Sequence, residues 1–284
     1  MVKIKSFTFT PMKIHITNLL IALLFTLQSC FSAPNPDQEQ ENKTMTDVQI
    51  VATQADTLPI YNFSLDYLRG RFDPAKHPDF RSVPAYLTDK SRTFYLRKDA
   101  CAAFEKMHKA AADDGVQLLI ISATRNFDRQ KSIWEAKWTG ARLLEGKENA
   151  SKAYPAAKDR ALAILRWSSM PGTSRHHWGT DMDINQLTNK YFESGRGLKE
   201  YEWLQNNAAA YGFCQPYSPK GVDRPDGYNE EKWHWSYLPV ARQLTKLAQT
   251  KLNDSQIDDF KGAEAAAEIG VVKKFVLGIS RTCD

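Results

Sequence analysis

The chain has 284 residues and a mass of 32.3 kDa, with 42% hydrophobic, 25% charged and 11% aromatic residues. That is enough apolar material for one or two ordinary domains with a core, which excludes a disordered tail or a disulfide-stapled miniprotein, and Gly 14 with Pro 13 exclude a collagen-like chain. Of the formal charge of +5, three units sit on Lys3, Lys5 and Lys13 in an acid-free start, so the rest is nearly neutral and has no electrostatic footprint for nucleic acid.

Lys13 leads into the apolar run Ile14 to Leu27, which is too short to span a bilayer comfortably and has the layout of a secretory signal. A start at Met12-Lys13 is better formed than one at Met1. The run ends at Leu27-Gln28-Ser29-Cys30, which resembles the lipobox of bacterial lipoproteins, whose cysteine is lipidated as the first residue of the mature chain. A cut after Ala33 would instead put bulky Phe31 where small residues are wanted. The expected organisation is a signal peptide over 1–29, lipidation at Cys30, a polar tether to residue 57, a main domain over 58–253 and an extension over 254–284.

Within the body, Leu96, Ala100, Phe104, Met107 and Ala111 recur at helical spacing and stop at Gly115, which predicts a helix over Leu96 to Asp114. Val116 to Ser122 reads as a buried strand, Arg129 to Trp138 as a second helix, and Ala156 to Trp167 as a third, broken by Pro171-Gly172. Asp181 to Asn185 and Lys232 to Tyr237 read as strands. Leu198 to Tyr211 reads as a helix with Leu198, Tyr201, Leu204 and Ala208 inward, and Leu238 to about Lys251 as another. Residues 254–284 are expected to add a small helix and strand. Helices alternating with short strands, without a long βαβ run, indicate an α+β fold.

With Cys30 accounted for, Cys101, Cys214 and Cys283 remain, so at most one disulfide forms and one thiol is left over. No spacing resembles a CxxC metal clip.

The chemistry concentrates around the histidines. His77 and His108 stand among charged neighbours and read as surface residues, whereas Ser174 to Ile184 (SRHHWGTDMDI) brings imidazoles and carboxylates together across a turn and into a strand. A catalytic zinc site takes three nitrogen or oxygen ligands and leaves one position open. His176, Asp183 and the later His234 supply that set, and Glu231 adds a carboxylate three residues before His234 that is free to act as a base. Strand alternation sends Trp233 and Trp235 to one face, as a dry wall, and His234 to the other.

Together, Ser174-x-His176-x-x-Gly179-x-x-x-Asp183 and Glu231-x-Trp233-His234-Trp235, preceded by Ser122-x-x-Arg125 and Gln130, resemble the zinc D-alanyl-D-alanine carboxypeptidases of the vancomycin-resistance (VanY) type, within the group that includes lysostaphin-like enzymes and the hedgehog domain. The similarity runs from about Leu96 to Leu247. It implies a small antiparallel sheet with flanking helices and zinc in a cleft, held by His176, Asp183 and His234. It also implies Glu231 as general base, Arg125 as the cation facing the substrate, and supporting contacts from Gln130 and Ser174. Several positions depart from the family pattern. Thr124 stands where an aromatic residue is usual, Asp181 where a small residue is usual, Arg175 where an acid is common, and His177 is an extra imidazole. Asp181 shares a strand face with Asp183, as a rival ligand or as the partner that orients an imidazole; the seven-residue step from His176 favours Asp183 as ligand. The sequence offers no defined partner for Arg175, and His177 is expected to face substrate or only solvent.

The resulting expectation is an exported, membrane-anchored zinc peptidase of the bacterial envelope, on the periplasmic side, that removes the terminal D-alanine of peptidoglycan stem peptides. The alternatives are an endopeptidase of the same family and a zinc-bearing binding module without catalysis. Retention of Glu231 and Arg125 argues against the last of these, because a purely structural zinc site needs neither.

Overall fold

A computed structural model of the chain describes residues 61–284. The expected signal peptide, Cys30 and the tether lie outside the described residues. Helix α1 (Leu65–Leu68), capped by the Ser64 hydroxyl, precedes a two-stranded antiparallel pair, β1 (Phe80–Ser82) and β2 (Tyr95–Arg97).

Helix α2 (Lys98–Asp113) follows directly and buries Ala100, Phe104, Met107 and Ala111. It starts two residues later than the apolar spacing predicts, because Leu96 pairs with Arg81 in the β-ladder. Its end is fixed by Gly115 at φ 74° and by the Val116 N–H bonding back to the Ala111 carbonyl at 2.7 Å, a left-handed cap that spares the last carbonyls. The strand expected over Val116 to Ser122 shortens to β3 (Ile120–Ser122). The Leu119 N–H and Gln117 carbonyl bond to the Asn185 side chain at 2.7 and 2.9 Å instead of to a strand.

Helix α3 (Phe127–Trp138), capped by Asn126, then leads through α4 (Ala150–Ala153) and α5 (Ala157–Leu165) to β4 (Asp181–Ile184). Helix α6 (Gly195–Asn207) tightens into a 3-10 turn over Ala208–Tyr211 where a continuous helix is predicted, and Leu198 is only half-buried. Strands β5 (Phe213–Cys214) and β6 (His234–Tyr237) complete an antiparallel sheet in the order β3-β4-β6-β5. Helix α7 (Leu238–Lys251) matches its predicted span, with Pro239 in the first turn, where no N–H is needed.

Two apolar clusters flank the sheet. Met182, Ile184, Trp233 and Trp235 pack with Phe104, Met107, Leu118 and Phe213 on one face. The other cluster joins Trp134, Ile164, Val240 and Leu244 to the C-terminal segment through Phe260, Ile269, Val272 and Val276. Residues 254–284 thus bury apolar side chains among the helices; they contain α8 (Ala265–Ile269) and short helical turns, and no strand among the described residues. A Cys214–Cys283 disulfide ties this segment to β5 across 69 residues, and closing a loop of that length contributes about 4 kcal/mol in the chain-entropy picture. Cys101 is the leftover thiol, buried in α2, and burial pushes its pKa up to about 11. No helix among the described residues is long and apolar enough to cross a membrane.

Candidate metal centre and catalytic cleft

Register places the key side chains. β4 and β6 pair so that Asp183 lies opposite His234 and Asp181 opposite Ser236, while Met182 pairs with Trp235 on the other face of the sheet. Period-two alternation therefore gives one face of the sheet to the apolar cluster and the other to Asp181, Asp183, His234 and Ser236. His176 comes from a single 3-10 turn, Arg175–Trp178, which ends at Gly179 with φ 75°. A side chain on Gly179 would run into the Phe80 ring, so the turn can lie close to the β1–β2 pair only with glycine there. The turn is further pinned by α1: Tyr67 Oη donates to the Trp178 carbonyl at 2.7 Å, and Trp178 Nε1 donates to the Leu68 carbonyl at 3.1 Å.

The two imidazoles face each other with opposite tautomers. His176 Nδ1 donates to the Ala123 carbonyl at 2.9 Å, which leaves Nε2 as the bare nitrogen, 3.3 Å from Asp183 Oδ1. His234 Nε2 donates to Asp181 Oδ2 at 2.9 Å, which leaves Nδ1 bare, also 3.3 Å from Asp183 Oδ1. His176 Nε2, Asp183 Oδ1 and His234 Nδ1 are buried, have no hydrogen-bond partner, and lie within 4.8 Å of one another. Three orphaned, convergent acceptors inside a protein call for a shared partner. Two edges of 3.3 Å match a tetrahedron of metal bonds of about 2.0–2.1 Å, so the residues fit a zinc ion.

The charges agree with the geometry. Burial would lower the His234 pKa, yet Asp181, Asp183 and Glu231 hold it well above the usual imidazole range. Burial would likewise raise the Asp183 carboxyl, and the two imidazoles hold it well below the usual range. Three carboxylates gathered on one side chain make a centre that favours positive charge. Burial, reinforced by the Arg125 cation, lowers the His176 pKa and keeps that ring neutral, as a nitrogen ligand must be.

Asp181 is not a rival ligand, because both of its oxygens are occupied. Oδ2 accepts from His234 Nε2 and from Arg175 Nε at 3.1 Å; Oδ1 accepts from the Thr180 and Ser236 hydroxyls at 2.7 and 2.8 Å. The Arg175 guanidinium is fully buried and also donates to Thr245 and Ser236 at 3.1 and 2.8 Å. Burial alone would raise the Asp181 pKa; Arg175, with His234 and Thr180, holds it below the usual range. The two departures at positions 175 and 181 are thus one buried ion pair behind the metal-facing imidazole.

Glu231 lies at the edge of the cluster, with Oε2 3.3 Å from His234 Nδ1 and its backbone N–H bonded to the Tyr217 carbonyl at 2.9 Å. Burial raises its pKa, partly opposed by His234. Arg125 follows β3, and its N–H bonds to the His176 carbonyl at 3.1 Å. Gln130 and Ser174 are buried in a small recess shared with Arg125, Glu231 and both metal-facing imidazoles. Gln130 Nε2 donates to the Ser169 carbonyl at 2.8 Å, leaving Oε1 without a partner, and Ser174 Oγ also has none. The recess opens into a cleft of about 940 Å³ walled by α3, the loop after it, Trp167 and residues 187–190.

Some expectations for the histidines change. His177 faces neither solvent nor the cleft: it is fully buried, its Nδ1 donates to the Arg125 carbonyl at 2.5 Å, and its Nε2 accepts from the Gly172 N–H at 3.0 Å. Burial takes its pKa down to about 3, so it stays neutral while fixing the Arg125 loop. His77 is half-buried among Tyr67, Phe72 and Phe80, and His108 bonds to the Leu118 carbonyl at 2.8 Å, so neither is a free surface residue. Sequence reading also passes over Tyr217, whose ring meets His234 edge-on at 4.7 Å, and Lys137, buried in the cleft wall. Neither stands in a motif; Lys137 could have been noticed only as a cation on the apolar side of a helix.

Comparison with known proteins bears on this site. The chain is 29% identical over 197 residues to YodJ of Bacillus subtilis (strain 168), covering 68% of this chain and 63% of that protein. It is 29% identical over 136 residues to the D-alanyl-D-alanine carboxypeptidase of Enterococcus faecalis (strain ATCC 700802 / V583), covering 48% of this chain and 46% of that one. The chain therefore spans between about half and two thirds of the length of these relatives. Among solved structures, a Zn(II) complex of a mutant of the vancomycin-resistance D,D-pentapeptidase VanY matches with a TM-score of 0.42 and 26% identity, over 58% of this chain and 87% of that one. The family model described as VanY, D-alanyl-D-alanine carboxypeptidase, matches residues 93–240, a stretch that takes in Arg125, the imidazole-bearing turn, Asp183, Glu231 and His234. Because that match covers more than half of the chain and contains every side chain that faces the cluster, the protein belongs to the VanY D-alanyl-D-alanine carboxypeptidase family.

Proposed function

We propose that the protein is a zinc-dependent D-alanyl-D-alanine carboxypeptidase that hydrolyses the terminal D-Ala bond of peptidoglycan stem peptides. The observation that carries this reading is the convergence of His176 Nε2, Asp183 Oδ1 and His234 Nδ1, each buried and unpartnered, beside the buried carboxyl of Glu231. Zinc held by those three atoms would supply a Lewis acid and lower the pKa of a bound water toward ~7. Glu231, whose pKa burial raises above the ordinary carboxylate value, would take a proton from the attacking water and return it to the leaving amine. Arg125 presents a planar fork to the substrate carboxylate or developing oxyanion, and the Ser174 hydroxyl is free to donate beside it. Gln130, its amide nitrogen held by Ser169, offers Oε1 to a substrate N–H.

The test is direct. Zinc-loaded protein incubated with a peptide ending in D-Ala-D-Ala should release free D-alanine; a chelator should abolish release and added zinc restore it. Cleavage into two peptides without free alanine would identify an endopeptidase, and stoichiometric zinc with no hydrolysis would identify a binding module. Either result rejects the carboxypeptidase reading.

The proposed location is the bacterial cell envelope on the periplasmic side, with Cys30 as the lipid-bearing residue. It rests on the apolar run ending at Leu27-Gln28-Ser29-Cys30, and the Cys214–Cys283 disulfide suits an oxidising compartment. Metabolic labelling with a fatty acid should mark the protein, and Cys30→Ala should remove the label; a labelled Cys30→Ala protein would refute the anchor.

A further inference from the structure

The walls of the cleft carry an excess of unpaired positive charge. Arg125, Lys137, Arg142 and Lys190 line it, and among the described residues no carboxylate lies within 4.0 Å of any of these four cations. Pairing is not scarce nearby: Arg166, just outside, meets Glu145 and Glu148 at 3.3 and 3.2 Å. Glu145, the acid of the cleft wall that stands apart from the metal cluster, is taken up by Arg166 and by Trp167 Nε1, which donates to it at 2.9 Å.

Lys137 is the most telling of the four. It sits on α3 with 9% exposure, and its ammonium has one neutral partner, Ser168 Oγ, at 2.5 Å. Burial, together with the charges of Arg142 and Arg125, lowers its pKa to about 8, with Glu231 and Glu145 opposing the shift only in part. An ammonium with three donors, one of them used, buried beside two other cations, is an expensive arrangement unless a counter-charge joins it. One substrate carboxylate, the C-terminal one, accounts for Arg125 next to the catalytic cluster. Lys137 and Arg142, further along the wall, have no carboxylate within ion-pair distance, and Glu231 and Glu145 act on Lys137 only from further off.

We propose that the cleft selects peptides that carry a second free carboxylate N-terminal to the scissile bond, and that Lys137 and Arg142 hold it. The inference rests on the peptidase reading given above and names the substrate class for that same site. Lys137 acts as a charged donor aimed by the Ser168 hydroxyl, and Arg142, on the exposed loop after α3, closes over the anion from the rim. The apolar parts of the wall, Ile133 and the Trp167–Trp233 stack at 5.9 Å, would cover the uncharged backbone and methylene groups between the two carboxylates. Acid-bearing peptides are thereby favoured over their amides, because the amide leaves the ammonium unneutralised.

Peptides ending in D-Ala-D-Ala, with an acidic side chain at the first or second preceding residue and each paired with its side-chain amide, provide the test. Affinity is measured by calorimetry on the zinc-loaded Glu231→Gln protein, and kcat/KM on the unsubstituted enzyme. At one of the two positions the acid should bind about tenfold better than the amide, and Lys137→Met and Arg142→Gln should each cut that ratio at least threefold. Arg142 is exposed, so its variant reports on the anion even where the buried Lys137 substitution disturbs folding. Equal affinity for acid and amide at both positions overturns the inference whatever the turnover, as does a preference that survives both substitutions. An acid preference in binding with no hydrolysis of either peptide would support the anion subsite while refuting the proposed reaction.

Discussion

Replacing Glu231 with Gln is expected to lower kcat by about 10²–10⁴-fold, the usual contribution of a positioned general base, while zinc content and thermal stability stay close to those of the parent protein. The substitution keeps the shape of a side chain that packs at the edge of the cluster. It removes the group able to accept a proton from water and hand it to the leaving amine. The metal-facing atoms belong to other residues, His176, Asp183 and His234, so the site should still load. Steady-state kinetics on a peptide ending in D-Ala-D-Ala, with metal analysis of the same preparation, provide the check. Turnover within tenfold of the parent would show that another group moves the proton.

Asp181→Ala is expected to be the most destabilising single change near the site. It leaves the Arg175 guanidinium, fully buried, without its counter-charge. Breaking a buried pair in this way costs about 3–5 kcal/mol, which corresponds to a fall in Tm of roughly 6–20 °C for a protein of this size. It also frees His234 Nε2 from its acceptor, and loss of such an orienting partner typically weakens metal binding about 10–100-fold. The double variant Arg175→Met/Asp181→Ala should recover much of the stability and little of the zinc affinity, since the stranded charge is gone while His234 is still unheld. Thermal melts and zinc titrations of the three variants separate the two effects; a double variant no more stable than Asp181→Ala would refute the pairing argument. The sign of the pH dependence follows. With its folded pKa held below the unfolded value, Asp181 contributes fully above the ordinary carboxylate range, and the contribution is lost as pH falls through the folded value.

Much of this site is legible in the chain because its chemistry sits on period-two strands. Alternation alone sends His234 away from Trp233 and Trp235, and Asp183 away from Met182 and Ile184. The same rule cannot separate Asp181 from Asp183, which share a face. Their roles divide only once pairing sets His234 opposite Asp183 and diagonal to Asp181, with Arg175 beneath. Helices α2 and α7 are readable from spacing and from Gly115 and Pro239, whereas Leu96 satisfies a helix pattern and a strand equally and is claimed by pairing. The Cys214–Cys283 bond is one of three possible pairings among three thiols, and contact across 69 residues leaves no local trace. The burial of His177 depends on a tertiary contact too: a side chain on Gly70 would collide with its ring, and nothing in the neighbouring sequence announces that meeting.

The three bare acceptors at the centre carry a further consequence. In the empty protein the surrounding carboxylates favour a proton on His234, and an ion that takes that proton's place among the three atoms acts as a ligand of the native state, adding about 4 kcal/mol when its free concentration is a thousandfold above Kd. Scarcity of the ion would then do more than silence the proposed hydrolysis: it would shift molecules toward open forms that resident proteases clear, so that trace-element supply would govern abundance as well as rate.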